Sequence, residues 1–294
     1  MATHPRKVAQ IVKPQPTRDG AGVKLARCIG GHGLNYCDPF LLLDHFGSDD
    51  PADYLAGFPM HPHRGIETVT YMLDGEVDHR DTLGNEGRIG PGDVQWMTSG
   101  GGIMHEEMPR PAAKGGRMGG FQLWVNMPAD LKMSEPRYRD VSAADIPLVT
   151  RPDGTKIRIV AGTVDGVAGP VQELYTDPFY TDVAVPANTT FEIPVHPDHA
   201  AFAYAFEGSG RFGVTDDEPG KLLSSPELAV FGEGDTIRVV TADEPVRFLL
   251  AAALPLDEPV ARYGPFVMNT REEIDQALRD LHEGTFVWTP GHGR

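Results

Sequence analysis

The stretch that decides the fold is Gly57-Phe-Pro-Met-His-Pro-His-Arg-Gly-Ile-Glu67. It places His61 and His63 two residues apart, directly before a segment with the pattern of a β-strand. Side chains at positions i and i+2 of an extended chain point to the same face. Both imidazoles can therefore face one point, and Glu67 has the same parity.

A second pair of ligand-type side chains follows in Ile103-Met-His-Glu-Glu107. Here His105 and Glu107 stand two residues apart, while Glu106 faces the other way. Antiparallel strands between the two segments would bring both pairs together. Three neutral imidazoles and one carboxylate suit Fe(II), Mn(II), Ni(II), Cu(II) or Zn(II), and the absence of cysteine argues against a structural zinc site.

Neither pair is diagnostic alone, because surface histidines are common and a buried histidine is usually just hydrogen-bonded. The order of the pieces favours a metal site. The sequence runs His-x-His-x3-Glu at the start of a strand, then Gly-x-Gly-Asp at a turn, then Gly-x3-His. This order resembles the two-part pattern of cupin β-barrels.

Short runs rich in Val, Ile, Thr and aromatic residues recur through most of the chain, and turn residues bound them. A polar segment at 127–152 separates two strand-rich halves. The second half echoes the first, since Ala201-Phe-Ala-Tyr-Ala-Phe-Glu-Gly208 resembles Thr68-Val-Thr-Tyr-Met-Leu-Asp-Gly75. This repetition predicts two copies of one β-barrel unit, with a first domain at 1–137 and a second at 138–294.

One segment near the end of the sequence has the pattern of a helix. Thr270-Arg-Glu-Glu273 forms a capping box, apolar residues follow at helical spacing, and Gly284 ends the pattern. We expect this short helix to pack on the second barrel.

The composition excludes several classes of function. A net charge of −16 opposes binding to a nucleic-acid backbone or an anionic membrane surface. The two cysteines, Cys28 and Cys37, are too few for a disulfide framework. No stretch approaches the roughly 18 apolar residues that a membrane span requires, and no apolar leader follows the first residues. We therefore expect a cytoplasmic protein with neither a nucleic-acid nor a membrane partner.

Five blocks resemble the pirin family, and together they cover nearly the whole sequence. The resemblance implies an all-β bicupin: two tandem antiparallel β-barrels, each a double-stranded β-helix, with a short C-terminal helix. The blocks are Asp38-Pro-Phe-Leu-Leu-Leu-Asp-His-Phe46, His61-Pro-His-Arg-Gly-Ile-Glu-Thr-Val-Thr-Tyr71, Gly92-Asp-Val-Gln-Trp-Met-Thr-Ser-Gly-Gly-Gly-Ile-Met-His-Glu-Glu-Met108, Gln122-Leu-Trp-Val-Asn126 and Tyr263-Gly-Pro-Phe-Val-Met-Asn-Thr270.

The resemblance also implies one divalent metal ion in the N-terminal barrel. Fe(II) is the expected ion, with Cu, Mn, Ni, Co or Zn as alternatives. Glu67, which stands where many other cupins have a ligand, is expected instead to orient an imidazole or a water molecule. The residues that match the family's metal ligands are His61, His63, His105 and Glu107.

The remaining histidines have no other ligand-type side chains at a spacing that suits a metal site. His196 and His199 in the second half are three residues apart, so we expect them on opposite faces of a strand in a barrel that has lost its metal ligands. His32, His45 and His79 have no partner at a suitable spacing and are expected to be structural or surface residues.

Members of the pirin family resemble quercetin 2,3-dioxygenases, which open the central ring of flavonols with O2 and release carbon monoxide. The resemblance therefore implies a metal-dependent dioxygenase that acts on a small aromatic polyphenol such as quercetin, with Glu107 taking the proton of a substrate hydroxyl. Another enol or phenol is an alternative substrate. Trp96 and Met97 are expected to wall the cavity. Phe46 and Phe58 flank the histidine motif and are candidates for the lining, with a place in the plain apolar core as the more common alternative.

A different class of function uses the same metal ligands. The alternative is a non-enzymatic redox sensor, whose metal ion changes oxidation state and alters the binding of a protein partner. The two hypotheses differ at the pocket, because an enzyme must admit a flat polyphenol while a sensor needs only to exchange electrons.

Overall fold

The computed structural model describes residues 4–111 and 116–289. Most of these residues lie in antiparallel strands, and the first half also contains the short 3-10 helices Pro51–Asp53 and Ala129–Leu131. The strands of the first half are β1 (Val8–Val12), β2 (Gln15–Asp19), β3 (Val23–Ile29), β4 (Phe40–Ser48), β5 (Phe58–His63), β6 (Ile66–Asp74), β7 (Val77–Asp81), β8 (Glu86–Ile89), β9 (Val94–Thr98), β10 (Ile103–Pro109), β11 (Met118–Asn126) and β12 (Arg137–Val141).

The second half is again built from strands and ends in the helix α1 (Arg271–Glu283). Its strands are β13 (Leu148–Thr150), β14 (Lys156–Ala161), β15 (Thr163–Val164), β16 (Val167–Ala168), β17 (Phe179–Val185), β18 (Thr190–Pro194), β19 (Ala200–Phe212), β20 (Lys221–Ser224), β21 (Glu227–Phe231), β22 (Thr236–Val240), β23 (Val246–Ala253), β24 (Ala261–Tyr263) and β25 (Phe266–Met268).

The chain divides into two compact units, and each takes segments from both halves of the sequence. We call them the first and the second barrel. The single boundary between residues 137 and 138 stays a prediction. The first barrel contains Gln15–Gly31, Phe40–Ala143 and Leu256–Arg294, and the second contains Met1–Pro14, His32–Pro39 and Ala144–Pro255.

The first barrel consists mainly of two antiparallel sheets. A seven-stranded sheet has the order β12-β9-β6-β11-β4-β3-β2, and a four-stranded sheet has the order β5-β10-β7-β8. The central strand β6 is buried on both faces along most of its length. A strand buried on both sides presents one set of side chains to each face, so alternate residues of β6 belong to different environments.

The second barrel consists mainly of one ten-stranded sheet, in which β1 from the start of the chain pairs with β21, and it also contains the two-stranded sheet β15-β16. Its interior is filled by aliphatic and aromatic side chains. Phe248 packs edge-on against Phe191 and Phe212, with ring centroids 5.9 and 5.0 Å apart. The predicted all-β class, two strand-rich units and C-terminal helix are confirmed.

The predicted caps of α1 are both present. Thr270 accepts a hydrogen bond from the Glu273 backbone N–H, the Glu273 carboxylate returns to the Thr270 backbone, and Gly284 ends the helix with φ 75°. Within residues 4–111 and 116–289, no helix is long and apolar enough to cross a membrane.

The prediction that α1 packs on the second barrel was wrong, because the helix belongs to the first. Ile274 and Ala277 pack in one buried cluster with Phe266 of β25. The Arg64 guanidinium, which follows His63 directly, lies 2.6 Å from the Asp280 carboxylate. The helix therefore supports the turn that leaves the histidine motif, a long-range contact for which the sequence offers no local signal.

The turn after His63 is tied to β25 by two further features. Gly65 has φ +80°, and a Cβ atom there would lie 2.0 Å from the Val267 carbonyl oxygen, so only glycine fits. The buried Lys132 ammonium donates to the Gly65 carbonyl at 2.8 Å, to Asn126 Oδ1 at 2.6 Å and to the Val267 carbonyl at 3.1 Å. Burial lowers the pKa of Lys132 to about 8.

Candidate metal centre

The predicted histidines lie on two paired strands. His61 and His63 are on β5, His105 is on β10, and His105 stands directly opposite His61 in the antiparallel register. The ring centroids of His61 and His105 are 4.4 Å apart. One ring nitrogen from each of the three histidines lies within 4.8 Å of the others. The structure thus brings together three side chains separated by up to 44 positions in the sequence.

Hydrogen bonds to backbone carbonyls set the tautomers of the β5 pair. The His61 Nδ1 lies 3.0 Å from the Pro59 carbonyl oxygen, so a proton on Nδ1 leaves the lone pair on Nε2. The Pro265 carbonyl accepts a hydrogen bond from the His63 ring, and His63 Nδ1 has no partner among the described residues. Each ring therefore keeps one nitrogen free to bind a cation.

His105 is the most enclosed of the three. It is 1% exposed, and neither ring nitrogen has a hydrogen-bond partner in the described part of the chain. Burial, and then the neighbouring His63 and His61, hold the pKa of His105 well below its usual value. Burial also lowers the pKa of His63. A buried imidazole nitrogen without a hydrogen-bond partner lowers the stability of the folded protein, because it has lost its contact with water. A divalent ion between the rings would bind those nitrogens and remove this penalty. The donor set fits a metal ion.

Glu107 lies in the same cavity but not in this close group. It is 8% exposed, and its Oε1 accepts a hydrogen bond of 2.9 Å from the Thr70 hydroxyl on β6. The three ring nitrogens form a group of donors that does not include the Glu107 carboxylate. Its role as fourth ligand stays a prediction. Glu106 faces away, as expected, and bonds Arg80 at 2.6 Å.

A cavity of about 560 Å³ opens beside the cluster and is lined from both sheets of the first barrel. This volume lies within the range of small-molecule sites. Of the two positions open to Phe46 and Phe58, the structure places both in the cavity lining. Its wall is mainly apolar and also contains Val23, Leu25, Leu42, Tyr54, Val77, Met118 and Trp124.

Two residues expected in the wall are absent from the cavity lining, which contains neither Trp96 nor Met97. The Trp96 indole instead donates to the Glu67 carboxylate at 3.1 Å. The aromatic wall is formed by Trp124, whose ring stands edge-on to His63 with centroids 5.2 Å apart. The sequence block Gln122–Asn126 could have predicted this position of Trp124. Gln122 and Trp124 have the same parity on β11, and both line the cavity.

Glu67 was expected to orient an imidazole or a water molecule at the site, and this was wrong. Its carboxylate accepts hydrogen bonds from the Trp96 indole at 3.1 Å and the Thr98 hydroxyl at 2.9 Å. Burial raises the pKa of Glu67. The chain turns at Gly65 between β5 and β6, so the parity shared with His63 is lost. On β6 it is Thr70, of opposite parity, that lines the cavity.

Charged groups occupy another part of the cavity wall. Arg27 holds Asp44 through two hydrogen bonds, of 2.9 Å from Nε and 2.7 Å from Nη2, which raise the pKa of Arg27. The Arg262 guanidinium lies 4.9 Å above the Trp124 ring, and its Nη1 donates to the Leu41 carbonyl at 3.0 Å. The segment that precedes α1 thus contributes Arg262 to the cavity wall, where it packs on the ring of Trp124.

The other histidines in the described part of the chain do not join the cluster. His196 and His199 were expected on opposite strand faces, but they lie in the turn between β18 and β19 with ring centroids 4.9 Å apart. His199 Nε2 is 3.5 Å from the Asp177 carboxylate. His79 is buried and stacks on Tyr138 at 5.1 Å. The absence of metal from the second barrel stays a prediction.

Comparisons with known proteins agree over nearly the whole chain. A family model described as Pirin matches residues 22–125, and one described as Pirin C-terminal cupin domain matches residues 180–287. A pirin-like protein of Caulobacter vibrioides is 48% identical over 282 residues, 96% of this chain and 99% of the relative. A protein of Pseudomonas aeruginosa named as a candidate quercetin 2,3-dioxygenase is 44% identical over 97% of this chain and 99% of its own.

A solved structure shows the same architecture. The crystal structure of a quercetin 2,3-dioxygenase from Acinetobacter baumannii matches with a TM-score of 0.86 and 32% identity. The match covers 96% of this chain and 99% of that one. Both barrels are therefore cupin domains, as the sequence predicted.

Proposed function

Because this chain belongs to the pirin family, we propose that it is a metal-dependent dioxygenase that opens the ring of a flavonol such as quercetin with O2, with Fe(II) as its ion. His61, His63 and His105 would hold the ion. The names of the Pseudomonas aeruginosa relative and the Acinetobacter baumannii structure support a dioxygenase of this type.

The observation that carries the proposal is the position of the histidine cluster beside an apolar cavity. His105 keeps both ring nitrogens without a hydrogen-bond partner in the described residues, and His61 and His63 line a space of about 560 Å³. A bound divalent ion would polarise a substrate hydroxyl and lower its pKa. A site that needed only to hold the ion would not require a cavity of this size next to it.

The residues of the chain account for binding and proton transfer. Trp124, Phe46 and Phe58 offer apolar and aromatic surface to a flat ring system. Glu107 is buried in the same wall and can accept the proton of a substrate hydroxyl through its carboxylate. The apolar lining keeps bulk water from the reacting oxygen, which strengthens the interactions of the charged groups there.

The proposal is tested with protein reconstituted with Fe(II). We expect quercetin in air to cause uptake of one O2 per flavonol and release of carbon monoxide, because the net reaction inserts both oxygen atoms and expels one carbon. An oxygen electrode and a carbon monoxide assay measure this. Protein stripped by a chelator is the control and should take up no O2.

A second measurement separates the enzyme from the redox sensor. Quercetin added without O2 should perturb the spectrum of the iron protein if the flavonol enters the cavity beside the histidines. No uptake of O2 together with an unchanged iron spectrum would contradict the proposal and favour a sensor that binds a protein partner.

A further inference from the structure

Three side chains in mutual contact form one side of the cavity in the first barrel. The His63 ring stands edge-on to the Trp124 ring with centroids 5.2 Å apart, and the Arg262 guanidinium lies 4.9 Å from the centre of the same indole. All three residues line the cavity. A flat molecule that binds an ion at His63 and lies along Trp124 therefore comes within reach of a positive charge.

Arg262 uses only part of its hydrogen-bonding capacity within the protein. Its Nη1 donates to the Leu41 carbonyl at 3.0 Å, and its Nε makes a longer contact of 3.4 Å with the Gly264 carbonyl. A guanidinium carries five N–H groups. Among the described residues, Arg262 Nη2 has no hydrogen-bond partner and the guanidinium forms no ion pair with a carboxylate. The side chain is exposed, so these donors are hydrated in the free protein and open to a ligand.

The carboxylates nearest to this part of the wall are bound by another arginine. Arg27 holds Asp44 through Nε and Nη2, and its Nη2 also lies 2.6 Å from an Asp19 oxygen. The two aspartates therefore act on Arg262 only through space. The charge of Arg262 extends to the histidine cluster: burial is the main cause of the low pKa of His63, and Arg262 lowers that pKa further.

An apolar cavity selects its ligands through a few polar groups at defined positions. One guanidinium matches one carboxylate in charge, and its N–H groups match the spacing of the two oxygens. We propose that Arg262 determines the substrate specificity of the cavity, and that the preferred substrate is a flat phenol or enol with a carboxylate remote from the metal-bound hydroxyl. The inference rests on the proposed function for the bound hydroxyl, and it narrows the substrate class beyond quercetin, which has no carboxylate.

The test compares ligands that differ only in a carboxylate. Full-length protein is loaded with Zn(II), which does not change oxidation state, and is titrated without O2 with 3-hydroxyflavone or with its 4′- or 7-carboxylic acid, which place the charge on either outer ring. Flavonol fluorescence gives the dissociation constants. We expect wild type to bind one of the acids at least about tenfold more tightly than the parent flavonol, the scale of a hydrogen bond to a charged group.

Variants separate the charge of Arg262 from its packing on Trp124. Arg262→Gln should bind the neutral parent as wild type does and lose the preference for the acid, while Arg262→Lys, which keeps the charge, should retain a preference. Arg18 is an exposed arginine of the first barrel outside the cavity lining, so Arg18→Gln is the matched control and should keep the full preference. Added salt should weaken binding of the acid alone, because salt screens the charges.

Two results would overturn the inference: wild-type protein that binds neither acid more tightly than the parent, or a preference for the acid that persists in Arg262→Gln. The outcome is separable from that of the proposed function. An acid preference that Arg262→Gln abolishes, in a protein whose iron form takes up no O2 with quercetin or with the acids, would uphold the role of Arg262 and reject the dioxygenase. Uptake of O2 with quercetin but no acid preference would do the reverse.

Discussion

Glu107→Gln is expected to lower kcat/KM for quercetin by about 100- to 10,000-fold, the range that a positioned proton-transfer group contributes. Glutamine has nearly the same shape as glutamate, and its amide oxygen can still accept from the Thr70 hydroxyl, which lies 2.9 Å from Glu107 Oε1. The amide cannot take a proton from the substrate. Initial rates of O2 uptake across a range of quercetin concentrations measure the loss.

The neighbouring residue offers a matched control for this prediction. Glu106 faces away from the cavity and pairs with Arg80, so Glu106→Gln should leave the turnover within about twofold of wild type, as expected for an exposed ion pair. The Glu107→Gln protein should still hold the ion through His61, His63 and His105, whose ring nitrogens lie within 4.8 Å of one another. Full turnover in Glu107→Gln would show that Glu107 is not the base of the reaction.

His105→Ala is expected to weaken metal binding by at least about 100-fold, since changes in groups that merely support metal ligands already cost up to that factor. His105 lies opposite His61 in the β5–β10 pair, and its two nitrogens have no other partner in the described chain. Without it, two imidazoles of one strand remain. Competition with a chromophoric chelator measures the dissociation constant.

A buried histidine of the second barrel serves as the control for this variant. His199 is 7% exposed and lies outside the cluster, so His199→Ala should bind the ion as wild type does. Equal metal binding by His105→Ala and wild type would show that the ion is held elsewhere.

The parts of the site that the sequence predicted are those governed by local geometry. His61 and His63 share a face because they lie two residues apart on one strand, and His105 and Glu107 repeat this arrangement on β10. The order of the motifs also predicted that antiparallel strands bring the two pairs of side chains together, and β5 pairs with β10 in this way. Short-range parity and motif order are preserved by any fold that pairs these strands.

The parts that the sequence did not predict depend on contacts between distant segments. The position of Glu67 was predicted wrongly because the alternation of side chains on β5 was extended past Gly65, where the backbone turns before β6 begins. The support that α1 gives to Arg64 joins residues 216 positions apart. Thr70 belongs to a residue type found on any sheet, and only its hydrogen bond to Glu107 distinguishes it.

The account depends on one ion bound between the imidazoles of His61, His63 and His105. The most direct measurement is an anomalous difference map from crystals of the iron-loaded protein, recorded at the iron absorption edge. We expect one strong peak in the first barrel, with iron–nitrogen distances of about 2.1 Å, as for other imidazole-bound divalent ions. An iron-loaded crystal with no peak among these three rings, or with its only peak beside another residue, would contradict the account.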